Sequence, residues 1–206
     1  MSKQKSELFA TSMDDKELIL RVTNHNDHSA FAILVDKYQK LVVNTCRGFV
    51  YNYADAEDLA QDVFIELFES LPEFRHESKL STWIYRIAVN KSLNHIRKKK
   101  REIIFSSIVS AFEPSEKQQN FADPNSTDEA DKQIKSAELH RTIKEAINKL
   151  PKNQKIAFIL NKYQDLSYKE VAEVMEVSLS SVESLLFRAK LNLQELLSEY
   201  YKKNIS

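Results

Sequence analysis

Apolar residues in this chain recur at helical spacing, and the recurrences are separated by good helix starters rather than by glycine-rich turns. Asp14 and Asp15 can open a short helix that carries Leu18, Ile19 and Val22. Asp27, His28 and Ser29 precede a longer inner stripe of Phe31, Leu34, Val35, Tyr38, Leu41 and Val42. Asp55 is the predicted start of a third helix, with Leu59, Val63, Phe64 and Leu67 as its seam and Pro72 as its stop. Residues 74–80 read as a loop. Ser81 or Thr82 then caps a helix running through Asn90 into a basic run, because a short side-chain oxygen there accepts from orphan amides. Periodicity fades between Ile103 and Lys132, where Pro114 and Pro124 lie among acidic and small polar residues. It resumes with Leu139, Ile143, Ala146, Ile147 and Leu150, and Pro151 opens a helix with Ile156, Phe158, Ile159 and Leu160 as its core. The pattern predicts an all-α protein of two small helical domains joined by a flexible acidic linker. Its parts are a polar tail (1–12), a first domain (13–102), the linker (103–135) and a second domain (136–206).

The second domain holds the most specific local pattern. Ser167 and Glu170 stand at capping-box spacing, so each can satisfy the other's orphan amide, and Val171, Ala172 and Met175 follow as an inward stripe. Ser178 is a good N-cap for a second helix. At about 100° per residue, Val182, Leu185, Leu186, Ala189 and Leu193 share one face of that helix. Ser180, Ser184, Phe187 and Arg188 lie opposite, with Ser181 and Glu183 on the flanks. One face for a core and another of hydroxyls, a guanidinium and an exposed aromatic suit a helix-turn-helix that enters a DNA major groove. An ordinary helical hairpin shares the inward stripe.

Composition narrows the classes. One glycine in 206 residues leaves almost no material for phosphate loops or dinucleotide fingerprints, which need positive φ and close backbone approach. Cys46 is the only cysteine, so no internal disulfide can form and a reducing compartment is expected. No secretory-type leader or membrane-length apolar run is evident, and the expected location is cytoplasmic without membrane insertion. The net charge is zero, yet the signs are segregated. The run from Lys91 to Arg101 has no acid, whereas residues 113–131 are predominantly acidic, as expected when different surfaces meet different partners.

Two further constellations carry candidate chemistry. Trp83, Tyr85, Asn90 and Asn94 lead into Arg97, Lys98, Lys99, Lys100 and Arg101. Cations hold phosphates while aromatic faces and amides meet unstacked bases, which is what opened DNA needs. A core tryptophan followed by a solvated helix end fits the same residues. Asp58, Asp62, Ile65, Glu66 and Glu69 share one outward helical face, which a solvated surface also explains. His25 and His28 have a spacing open to metal, but no further ligand cluster accompanies them, and no nucleophile set supports an enzyme. No metal, cofactor or catalytic residue is expected.

The order of these segments resembles that of extracytoplasmic-function (ECF) sigma factors of bacterial RNA polymerase, in the sigma-70 family. The resemblance is carried by Asp55-Ala56-Glu57-Asp58-Leu59-Ala60-Gln61-Asp62-Val63-Phe64, then Ser81-Thr82-Trp83-Ile84-Tyr85-Arg86-Ile87-Ala88-Val89-Asn90, then the helix-turn-helix closed by Phe187-Arg188-Ala189-Lys190. It implies a first domain that docks on the β′ clamp helices and melts the −10 element, and a second that reads the −35 element and touches the β flap. By motif position, Asp58, Gln61, Asp62, Phe64 and Phe68 meet the clamp. Arg75, His76, Glu77, Ser78, Lys79 and Leu80 capture a −10 base. Trp83, Tyr85, Arg86, Asn90, Asn94, Arg97 and Lys98 lie along the opened strand. Ser180, Ser181, Glu183, Ser184, Phe187 and Arg188 read the −35 element. The implied partners are core polymerase, promoter DNA and, as a candidate, an anti-sigma factor. Two DNA-reading domains in one chain also remove the usual need for a dimer, so a monomer is expected. Two positions depart from the family pattern: Glu176 stands at the turn where many relatives carry glycine, and Glu183 where a basic residue is common. The competing reading is a conventional helix-turn-helix regulator that binds duplex DNA without core polymerase, and such a protein has no need of the first two motifs.

Overall fold

A computed structural model describes residues 14–50, 52–110 and 128–205. They form eight α-helices: α1 (Asp15–His25), α2 (His28–Phe49), α3 (Tyr53–Ser70), α4 (Leu80–Ser110), α5 (Asp128–Lys149), α6 (Lys152–Lys162), α7 (Tyr168–Met175) and α8 (Leu179–Ile205), with a 3₁₀ turn at Leu71–Glu73. The described residues contain no strand, and none of their helices is long and apolar enough to cross a membrane. The polar tail and the centre of the predicted linker lie outside them.

Several starts follow local chemistry as expected. Asp27 accepts from the amides of Ser29 (2.9 Å) and Ala30 (3.1 Å) at the head of α2. Its carboxylate also receives the Ser29 hydroxyl at 2.6 Å and Arg21 Nη2 at 2.6 Å, and these, the hydroxyl foremost, hold it well below the usual carboxylate range. Other boundaries differ. Helix α3 opens two residues before Asp55, at Tyr53, because Asn52 accepts from the Ala54 amide at 3.1 Å. Helix α4 opens at Leu80, so Ser81 and Thr82 lie within its first turn instead of capping it; Leu80 and Thr82 are both buried there. Helix α4 also continues past residue 102, and α5 begins before residue 136. Apolar periodicity reports a buried face rather than backbone hydrogen bonding, so it is absent from the polar first turns of α5 even though they are helical.

Two cores result. The first joins α1, α2, α3 and the start of α4 through Leu18, Leu34, Val42, Val63, Leu67 and Ile84, all at most 0% exposed. The second lies under α5–α8, around Ile147, Ile159, Leu160, Val171, Val182 and Ala189. It also takes in Phe49, Tyr85, Val89 and Leu93 from α2 and α4. The two units therefore pack on each other through a shared apolar seam, which periodicity alone does not predict. Lys155 sits in this seam at 6% exposure, donates to Asn148 Oδ1 at 2.5 Å and lies 5.8 Å over the Phe49 ring.

Burial lowers the Lys155 pKa to about 8, from an ordinary 10.5. The folded state thus binds this proton less readily than the unfolded chain. The resulting cost is fully present below about pH 8 and fades as pH rises toward 10.5, where the unfolded chain also loses the proton. Lys155→Met is expected to melt at a higher temperature than the parent at pH 7, with the gap narrowing steadily at higher pH. A gap independent of pH in calorimetric scans would contradict this account.

Candidate nucleic-acid interface

The helix-turn-helix is assembled by its caps. The Ser167 amide donates to Glu170 Oε2 at 3.0 Å and the Glu170 amide to Ser167 Oγ at 3.3 Å, closing the box that opens α7. The Ser167 contacts, chiefly its hydroxyl, keep the Glu170 carboxyl below its ordinary value. At the far end Glu176 adopts the left-handed conformation (φ 56°, ψ 43°), and the Val177 amide returns to Ala172 O at 3.1 Å. A non-glycine residue there costs on the order of 1 kcal/mol or more. The turn therefore keeps the shape that glycine would give it, with a carboxylate added.

Ser178 Oγ accepts from the Ser181 amide at 3.2 Å and starts α8. Val182, Leu186 and Ala189 point into the core, leaving Ser180, Glu183, Ser184, Phe187 and Arg188 exposed, Phe187 at 64%. Arg188 Nε donates to Ser184 O at 3.2 Å, which holds the guanidinium along the helix surface. Ser181 is half-buried and its hydroxyl lies 2.8 Å from that of Ser178, so it serves the cap before it can serve DNA.

In the first unit, Phe74 anchors the loop that leads to α4. It meets the Trp83 ring edge-on at 5.8 Å and the His76 ring at 4.9 Å, while His76 takes a left-handed backbone (φ 58°). A cavity of about 710 Å³ opens beside them, lined by Phe74, Arg75, Ser78, Trp83, Arg86 and Glu176. Trp83 Nε1 is buried and has no hydrogen-bond partner among the described residues. A cavity of this size with two aromatic side chains and the Arg75 guanidinium on its lining can accept a planar heterocycle by stacking. Glu77 and Lys79 are neighbours on the same loop, Glu77 exposed and Lys79 3.8 Å from Glu170.

Two residues expected to meet the −10 element, Leu80 in base capture and Tyr85 along the strand, are not on the surface. Leu80 (3% exposed) belongs to the first core, and Tyr85 (8%) packs into the seam, where burial raises its pKa. Arg86 is committed across the seam: Nη2 donates to Glu173 O at 2.7 Å and Nη1 pairs with Glu176 at 2.9 Å. Asn90 and Asn94 are exposed, and Asn94 accepts from Arg97 Nη2 at 2.6 Å. The cationic run is partly balanced by acids, through Lys91 with Glu66 (2.7 Å), Lys98 with Glu102 (4.0 Å) and Lys99 with Asp55 (2.8 Å).

The outward face of α3 carries Asp58, Gln61 and Asp62 beside Ile65, which is 57% exposed. Phe68 is half-buried, edge-on to Phe31 at 4.9 Å and stacked on His28 at 5.8 Å. Phe64 points the other way. It is 8% exposed and part of the first core, one helical turn from Ala60 and Leu67, so it supports the outward face from beneath and does not belong to it. Periodicity had placed Phe64 in the seam as well, and that face wins because burial of an aromatic side chain is the larger effect. The participation of Glu173 and Glu176 escapes sequence reasoning, the unusual residue at the turn being the only hint.

The chain matches the family models for Sigma-70 region 2 over residues 34–102 and for Sigma-70, region 4 over residues 140–193. It is 31% identical over 184 residues to the RNA polymerase sigma-H factor of Pseudomonas aeruginosa, covering 87% of this chain and 92% of that one. It is 33% identical over 182 residues to the ECF RNA polymerase sigma-E factor of Haemophilus influenzae, covering 88% and 94%. Its fold is similar to that of the sigma factor RpoE of Bartonella quintana, solved in complex with the anti-sigma factor NepR, with a TM-score of 0.56, 24% identity and coverage of 82% and 96%. With two sigma regions in order on an all-helical frame, the chain belongs to the ECF sigma factors of the sigma-70 family.

Proposed function

We propose that this chain docks on core RNA polymerase through α3, reads the −35 element with α8, and captures and melts the −10 element with the loop at 75–79 and the exposed side of α4. It has no catalytic step of its own. The observation that carries this reading is the pairing, in one unit, of the exposed Asp58–Gln61–Asp62–Ile65 face with the aromatic-walled cavity at Trp83. A duplex-binding regulator that never meets polymerase needs neither. Work as a monomer in the cytoplasm fits the presence of both DNA readers in one chain. An anti-sigma factor is a fitting partner, since the similar RpoE is held by one.

The docking assignment is tested by Asp62→Lys. Reversing a charge at an interface places like charges together and is expected to weaken affinity for core polymerase at least about tenfold. The exposed position should change stability by under about 0.5 kcal/mol. Equal affinity in a core-binding titration would remove α3 from the interface.

For the −35 element, Ser184→Ala, Glu183→Ala and Arg188→Ala are compared across a panel of −35 variants bound to holoenzyme. A side chain that reads a base edge should cost about 1–3 kcal/mol and relax preference at one position. A side chain that grips phosphate should weaken all sequences alike and flatten the salt dependence. If none of the three changes binding to any promoter, α8 reads DNA with a different face.

For the −10 element, His76→Ala and Ser78→Ala are expected to alter base preference at fixed salt. An extruded base offsets its unstacking only through contacts in its pocket. Permanganate footprinting of holoenzyme on −10 variants follows the open bubble. Unchanged opening and unchanged preference would reduce this loop to a connector.

A further inference from the structure

We infer that the cavity between the basic end of α4 and the head of α6 is a binding site for a small amphipathic monoanion, an aliphatic carboxylate. Its head would reach the Lys155 ammonium and its chain would lie on Ile96, Ile103 and Ile104. The site shares no residue with the outward face of α8 or with the Trp83 cavity, and it goes beyond the reading given above.

The cavity encloses about 550 Å³, inside the range of about 300–1,000 Å³ usual for small-molecule sites. Four helices wall it: Phe49 ends α2, Ile96, Ile103 and Ile104 lie on α4, Asn148 is on α5 and Lys155 on α6. Ile103 and Ile104 are 61% and 49% exposed and belong to neither core, although charged residues surround them in the sequence. Single exposed apolar side chains need no explanation, but two on the wall of a cavity offer a ligand an apolar surface.

Lys155 supplies the polar requirement. It is 6% exposed, and its Nζ donates to Asn148 Oδ1 at 2.5 Å and stands 5.8 Å from the centre of the Phe49 ring. Among the described residues no carboxylate pairs with it, and desolvation alone moves its pKa. An ammonium carries three donors, and one buried among neutral partners is costly. A carboxylate brought to it offsets that cost. His95 Nε2, also on the lining, is buried and has no hydrogen-bond partner among the described residues; Asp55 is 3.9 Å away, too far for one. Asp55 itself is committed to Lys99 at 2.8 Å.

Charge and shape narrow the ligand. The lining carries Lys99, Lys100 and Lys155 against the single carboxylate of Asp55, so it favours an anion. One buried ammonium neutralises one negative charge, and a phosphate dianion would bring a second charge against apolar walls. The ammonium already lies over the Phe49 ring, and the rest of the apolar wall is isoleucine and valine. Such a wall suits an aliphatic chain better than a stacked base.

The test is calorimetric titration of the full chain with sodium decanoate at pH 7, where Lys155, with a pKa of about 8, is mostly protonated. One molecule should bind per chain. Octanoate, two methylenes shorter, should bind about tenfold more weakly. 1-Decanol keeps the chain and lacks the charge, and should bind at least about tenfold more weakly than decanoate. Lys155→Met, which is expected to be the more stable protein at this pH, should lose that preference and hold decanol at least as tightly as decanoate. Ile104→Asn, at an exposed position, should weaken decanoate about fivefold at nearly the parental melting temperature. In methyl NMR spectra decanoate should shift Ile96, Ile103 and Ile104 and leave Ile19 and Ile65 in place. Absent binding, several molecules per chain, or equal affinity for decanoate and decanol in the parent overturns the site. A preference for decanoate that survives Lys155→Met overturns the assignment of its head. Undiminished affinity in Ile104→Asn, or shifts at Ile65 in place of the α4 methyls, overturns the placement of its chain.

Discussion

Helix α4 is apolar on two sides, and the rest of the molecule is arranged around that property. Ile84, Ile87 and Ala88 face the first core, while Tyr85, Val89 and Leu93, spaced by four residues, face the second. Burying side chains of this size stabilises by about 1.5–3 kcal/mol each. One helix thus completes the first unit and supplies a wall to the other. Its remaining side, with Asn90, Asn94 and the cations, is what stays available to nucleic acid.

This double service explains the placement of charge. With two sides apolar, the cations of this helix fall on its remaining side and at the seam's rim, where Arg86 meets Glu176, Lys91 meets Glu66, Lys98 meets Glu102 and Lys99 meets Asp55. Lys155 is the exception, held inside the seam by an amide oxygen and an aromatic face rather than by a carboxylate. A buried ammonium without a countercharge weakens the packing around it. The same seam therefore contains a strong apolar contact and a built-in liability, which is compatible with two units that pack firmly and still separate.

The departure at Glu176 is a tertiary effect rather than a local one. Within the helix-turn-helix it only adds backbone strain, because the turn adopts the left-handed conformation whichever residue is there. Across the seam it meets Arg86, and the ion pair gives the residue a partner that offsets part of that cost.

The helical class, the two-unit organisation and the helix-turn-helix were legible in the residues alone. The box at Ser167 and Glu170, the cap at Asp27 and the outward face of Ser180, Ser184, Phe187 and Arg188 rest on local hydrogen bonding and on a 3.6-residue period, which a sequence carries directly. Helix starts at Tyr53 and Leu80 were displaced because distant burial competes with local capping. Three candidate site residues, Phe64, Leu80 and Tyr85, proved to be core, since position within a motif does not say which way a side chain turns. Only the tertiary structure brought Gly48 against Ile159 and Arg86 against Glu176, pairs 111 and 90 positions apart by subtraction of their residue numbers. Contacts at that separation depend on how two finished surfaces fit, and no periodicity along the chain encodes the fit.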